Sequence, residues 1–141
     1  MRLTQAQTSK RVRRSPAPDA RFAVRLSPTW TAVREARRIV ARQLAQHIGE
    51  ETLDDVLLVV SELVTNAVLH GRGDVDLRME LDRGRITGAV SDEGHGFTPR
   101  RRRPDPSRVG GHGLHIVARV ADRWGLTAGT THVWFEIPVR R

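Results

Sequence analysis

Apolar residues recur along this chain at two spacings. From Phe22 to Leu26 they alternate with polar ones, which predicts an edge strand. Ser27-Pro28 supplies an N-cap and a proline suited to a first helical position; Trp30, Val33, Ala36, Arg37, Val40, Ala41 and Leu44 then follow at helical spacing until Gly49. A second helix is predicted from about Glu51 to His70, stopped by Gly71 and Gly73. Two strands, 75–81 and 85–91, are joined by Asp82-Arg83-Gly84 and read as a hairpin. Residues 94–111 are too rich in Gly, Pro and Arg for a regular element. Residues 113–121 form a short helix with Leu114, Val117, Ala118 and Ala121 on one face, and 124–128 with 132–139 make a last hairpin around Gly129-Thr130-Thr131. The order β-α-α-β-β-loop-α-β-β predicts an α+β fold, a two-layer sandwich with helices on one face of a mixed, mostly antiparallel sheet. Residues 1–20 are polar and basic and read as a disordered arm before a single domain over 21–141.

Composition narrows the chemistry. The 141 residues suffice for one core, and no apolar run approaches the roughly 18 residues that cross a bilayer as a helix. The basic N-terminus lacks the apolar segment of a secretory signal, so a cytoplasmic location is expected. Absence of cysteine excludes disulfides, thiol catalysis and Cys-ligated zinc. The net charge of +8 is carried by arginine, because Lys10 is the only lysine. A P-loop and a eukaryotic-type protein kinase both need a lysine inside the fold. Any nucleotide site here therefore works without one. Trp30, Trp124 and Trp134 are expected in the core or an interface.

Three patterns carry candidate chemistry. In the second helix Glu62, Asn66 and His70 stand at i, i+4 and i+8 and form one polar row on an otherwise apolar helix. A solvated stripe would show the same spacing. Asp92-Glu93-Gly94-His95-Gly96 ends a strand in a glycine turn: glycines let backbone approach a flat ligand, and a strand-end carboxylate accepts hydrogen bonds from an amino group. A plain Asp-Gly turn has the same composition. Gly110-Gly111-His112-Gly113-Leu114 opens the short helix, where unpaired amides suit phosphate oxygens, and a hinge into a capped helix reads alike. His112 and His115 lack an obvious third ligand for a metal. The Arg100–Arg103 run reads as a solvated loop facing phosphates or a protein partner more readily than a nucleic-acid contact.

Taken in order, these segments resemble the GHKL ATPase superfamily. Glu62-Leu-Val-Thr-Asn66-Ala-Val-Leu-His70-Gly71 is similar to its N box, Asp92-Glu-Gly94-His-Gly96-Phe to its first glycine box, Gly110-Gly-His-Gly113-Leu to its second, and Gly129-Thr130-Thr131 to its terminal Gly-Thr segment. The short loop between the glycine boxes and Ala121-Asp122-Arg123-Trp124-Gly125 resemble the single-domain anti-sigma-factor serine/threonine kinases of actinobacteria. The resemblance implies a Bergerat fold with a lid at about 97–112. It implies that Asp92 binds the adenine amino group, that Gly94 and Gly96 give the base room, and that Thr130 assists near Asp92. Asn66 would ligate Mg²⁺; Gly111, Gly113 and Leu114 would offer backbone amides to the phosphates of ATP; Glu62 would be the general base. The implied function is ATP-dependent phosphorylation of an antagonist protein alternating with sequestration of a sigma factor, with a homodimer possible in this family. The alternative is an ATP-responsive binding module that transfers no phosphate. Where many relatives carry Gly-Arg-Gly-Leu, this chain has Gly111-His112-Gly113-Leu114, which bears on transfer more than on nucleotide binding.

Overall fold

The computed structural model describes residues 16–94, 112–127 and 131–140. In chain order the elements are β1 (Ala20–Leu26), α1 (Ala32–Leu44), α2 (Glu50–His70), β2 (Val75–Asp82), β3 (Arg85–Ser91), α3 (His112–Val120), β4 (Arg123–Leu126) and β5 (Val133–Pro138). Most of the expected basic arm, most of the expected lid and Thr130 lie outside the described residues.

The strands form one five-stranded sheet in the order β1-β2-β3-β5-β4. The two-layer α+β architecture matches the sequence expectation. The sheet, expected to be mixed and mostly antiparallel, is antiparallel at all four pairings. β3 and β4 do run the same way, connected through α3, but β5 inserts between them, so no two neighbours are parallel.

Side chains of successive strand residues point to opposite faces, and here one set is buried. Val75, Leu77, Met79 and Leu81 of β2, Ile86 and Val90 of β3, and Val133, Phe135 and Ile137 of β5 line the inner face. Ala36, Val40 and Leu44 of α1 close over it with Val56, Val59, Val60, Leu63 and Val64 of α2. α2 is apolar nearly all round because it is the middle helix, touching α1, α3 and the sheet. That central position holds the polar row of α2 in a fixed place.

One close approach pins the sheet register. Gly88 of β3 lies opposite Phe135 of β5, and the fully buried phenyl ring covers the glycine: a Cβ built there would meet ring carbon Cε1 at 2.7 Å. Gly88→Ala therefore overpacks the core and is expected to destabilise the fold by about 1–3 kcal/mol, read as a lower denaturant midpoint at unchanged slope.

Charges tie down the margins. Arg85 bridges Asp122 at 2.9 Å and Glu136 at 3.0 Å, joining β3, β5 and the start of β4, and those hydrogen bonds, Asp122 first, raise its pKa. The amide of Arg140 donates to the buried hydroxyl of Thr52 at 3.1 Å, and its side chain pairs with Glu51 and Asp55, holding the end of the described chain on α2.

Some expectations need correcting. α1 starts at Ala32 rather than after Ser27-Pro28; the carbonyl of Ser27 accepts the Thr29 amide in a turn, and Thr31 precedes the helix without a side-chain cap. Leu26 is buried as the last residue of β1, so residues 27–31 are used in carrying the chain from the sheet layer to the helix layer. Trp30 lies in that connection and is 83% exposed, outside the core. Trp124 packs against the core, whereas Trp134 is half-buried on the open face of the sheet, its indole over Gly125. Ala118 of α3 is exposed, while Val117 and Ala121 are buried and Leu114 packs on the core. Gly49 follows a turn after α1 and is also the N-cap of α2.

Candidate functional site

The last turns of α2 supply the first half of the site. Glu62 and Asn66 are half-buried, flanked by the buried Leu63, Val64 and Ala67. Beside this row the Ser61 and Thr65 hydroxyls donate back to the carbonyls of Leu57 and Ser61, both at 2.6 Å, and Arg37 of α1 donates to the Ser61 hydroxyl at 2.7 Å. Those polar groups serve the helix pair. Glu62 and Asn66 do not: among the described residues neither side chain has a hydrogen bond or ion pair. A half-buried carboxylate and amide without partners among the described residues are candidates for ligand contact.

The second half of the site is Asp92, just past the end of β3. Its Oδ1 accepts the Gly94 amide at 2.7 Å and the Arg72 amide at 3.3 Å. Arg72 belongs to the turn that leaves α2, and its carbonyl accepts the Glu93 amide at 2.8 Å. Glu93 Oε2 accepts the Asp74 amide at 3.3 Å. The two loops are thus latched from both sides, and the latch brings Asp92 against the C-terminal end of the helix that carries Glu62 and Asn66. Asn66 and Glu62 lie about 7.5 Å and about 13.5 Å back from Gly71 along that helix, at roughly 1.5 Å per residue.

The residues that lead into β5 contribute a third anchor. The Thr131 hydroxyl accepts the Asp92 amide at 3.1 Å and donates to the Asp92 carbonyl at 3.0 Å, fixing the main chain on which the carboxylate stands. Sequence reasoning named Thr130 for this neighbourhood. Among the described residues the hydroxyl that bonds the Asp92 main chain is that of Thr131, and Thr130 lies outside the described residues. The β3–β5 pairing runs as far as Val90 opposite Val133, and Asp92 and Thr131 lie just beyond those two strand ends, within hydrogen-bond reach of each other.

α3 begins at His112, so the Gly113 and Leu114 amides fall in its first turn, where no preceding helical carbonyl serves them. α3 packs along α2, which brings this helix onto the element that carries Glu62 and Asn66. Gly96 and Gly111 lie outside the described residues. A broad groove on the open face of the sheet, lined by Arg21, Arg78, Glu80, Thr87, Trp134 and Glu136 among others, shares no residue with this constellation.

The profile of the histidine kinase-like ATPase domain matches residues 26–137, most of the chain. The chain belongs to that family. The GHKL resemblance drawn from four motifs is borne out by this match, and ATP binding is the shared property of such domains. The fold is similar to the crystal structure of the RsbU and RsbW domains of Rv1364c from Mycobacterium tuberculosis, with a TM-score of 0.64 and 21% identity. That similarity covers 90% of this chain and 33% of the matched chain, so this chain spans about a third of the matched one. No curated protein matches. No helix among the described residues is long and apolar enough to cross a membrane.

Within this ATPase domain the sequence-predicted residues divide plainly. Glu62, Asn66, Asp92, Gly94, Gly113 and Leu114 are described and stand on the elements expected of them. Thr131, Gly71 and the Arg72 amide were missed as partners of Asp92. Arg72 contributes through its backbone, which no side-chain motif reveals.

The residues fit an adenine nucleotide on structural grounds. The Asp92 carboxylate is anchored by amides and bordered by glycines: a Cβ at Gly94 would lie 2.8 Å from Asp92 Oδ1 and one at Gly71 would lie 2.6 Å from Asp92 Cγ, so at both positions it is a missing side chain that leaves room for the carboxylate. Among the described residues no group of three or more His, Cys, Asp or Glu side chains could cage a metal. A single amide ligand such as Asn66 suits Mg²⁺, which keeps several waters and is held mostly by substrate phosphates.

Proposed function

We propose that this domain is a cytoplasmic regulatory kinase that transfers phosphate from ATP to a serine or threonine of a small antagonist protein and binds a sigma factor in alternation. One observation carries the reading: Glu62 and Asn66, half-buried and without a side-chain partner among the described residues, stand on the same helix whose end meets the anchored carboxylate of Asp92. That line has an acceptor for the adenine amino group at one end and a carboxylate beyond a metal-ligating amide at the other.

In this reading Asp92 fixes the base, Gly94 and Gly96 leave room for its plane, and Thr131 holds the Asp92 main chain. Asn66 would hold Mg²⁺, which when bound would supply neutralisation of phosphate charge. The Gly113 and Leu114 amides in the first turn of α3, together with that of Gly111, would receive phosphate oxygens, so no lysine is needed. Glu62 accepts the proton of the incoming hydroxyl as its oxygen bonds to the γ-phosphorus and the bond to ADP breaks. Phosphoryl transfer depends chiefly on positioning and charge stabilisation, so this set is sufficient.

Incubating the protein with γ-labelled ATP and candidate antagonist proteins tests the reading. Label is expected on a serine or threonine of the partner, and only with magnesium present. Magnesium-dependent ATP binding with no transfer to any antagonist would instead favour a nucleotide-responsive binding module.

A further inference from the structure

Gly71, which ends α2, has an ordinary extended conformation with φ −86° and ψ −170°. Any residue can adopt that backbone, so conformational freedom is not why glycine stands there. Two positions on, Gly73 at φ +66° does occupy the left-handed region. What singles out Gly71 is space. A Cβ built on it would lie 2.6 Å from Asp92 Cγ and still nearer to Asp92 Oδ2, and it would also meet the Ala67 carbonyl oxygen. That carbonyl is engaged, accepting the Gly71 amide at 2.9 Å. The carboxylate therefore rests directly on the Gly71 backbone, while Oδ1 is held by the Arg72 and Gly94 amides.

We infer that Gly71 is a positioning residue for nucleotide specificity: with the Arg72 amide it sets where the Asp92 carboxylate stands and thereby the preference for a base carrying a 6-amino group. The inference rests on the reading of Asp92 as the adenine acceptor. A methyl group at position 71 pushes the carboxylate off its seat, because the backbone carbonyl on the other side leaves no room to share the displacement. Such a shift breaks the hydrogen bond to the exocyclic amino group. Interactions with ribose, phosphates and metal are made elsewhere and remain.

The test compares dissociation constants for ATP and purine riboside 5′-triphosphate, which lacks only the 6-amino group, in magnesium buffer. Wild type is expected to favour ATP by about 10- to 100-fold, the range for a hydrogen bond to a charged acceptor. Gly71→Ala is expected to bring that ratio close to one by weakening ATP alone, with purine riboside triphosphate bound as in wild type. In an Asp92→Asn background the same change is expected to add nothing to the ratio. A merely structural role for Gly71 would weaken both nucleotides equally. Arg72→Pro, which deletes one amide donor after an extended residue that tolerates proline, reads the same ratio should Gly71→Ala fail to fold. A wild-type preference retained in both variants overturns the inference and leaves the nucleotide site standing. No preference in wild type overturns the reading of Asp92 itself, and the inference falls with it.

Discussion

Replacing Glu62 with glutamine is expected to lower phosphoryl transfer by about 10²–10⁴-fold, the usual contribution of a general base, while ATP affinity stays close to wild type. The side chain is half-buried and makes no hydrogen bond or ion pair among the described residues, so its replacement removes no such contact there. Glutamine keeps the volume and polarity but exchanges the anionic oxygen for a neutral NH₂, and with it loses the ability to take a proton. The stability of the variant should therefore remain within about the ±0.5 kcal/mol typical of substitutions outside the packed core. Single-turnover transfer of label, measured beside equilibrium ATP binding, separates the two roles. A fall in affinity as large as the fall in transfer would make Glu62 a ligand contact instead of a base.

The elements are legible in the sequence because their periodicities are strong and their breaks chemically explicit. α2 reads as buried from its apolar run, and Gly71 marks its end; β2 and β3 read from alternation and the Asp82-Arg83-Gly84 turn, where Arg83 and Gly84 take positive φ. The start of α1 differs from expectation because Ser27-Pro28 is a sound local signal overridden by tertiary geometry: Leu26 stays in the sheet core, and the chain uses the next residues to change layers. The insertion of β5 between β3 and β4 was not legible, since strand order depends on which edges meet and not on any segment's own pattern.

The candidate site divides in the same way. Glu62, Asn66 and Asp92 were legible as candidates because the residue types suited to such chemistry can be read directly from a sequence. The partners that seat Asp92 were not, because they act through what a sequence hides. Arg72 contributes an amide, Gly71 contributes an absent side chain, and Thr131 bonds the Asp92 main chain from the residues that lead into β5.

Asp92→Asn is the second large effect. The carboxylate gives Oδ1 to two backbone amides, and in the proposed reading its remaining acceptor capacity serves the adenine amino group. Asparagine keeps the shape and can still turn its carbonyl oxygen to the Arg72 and Gly94 amides. Its NH₂ group then faces the adenine amino group, donor against donor, in a place closed in by Gly71 and the main chain. Losing a charged acceptor and gaining a misplaced donor is expected to weaken ATP binding by about 100-fold or more. Because the amide contacts survive, the fold should persist, and circular dichroism should show unchanged secondary structure.

Calorimetric titration of MgATP into wild type and Asp92→Asn, run in parallel on folded protein, tests the joining of α2 and the end of β3 into one nucleotide site. The account predicts saturable binding to one site in wild type and no saturation over the same concentration range in the variant. Equal affinity in the two proteins, or no ATP binding by wild type, would contradict it.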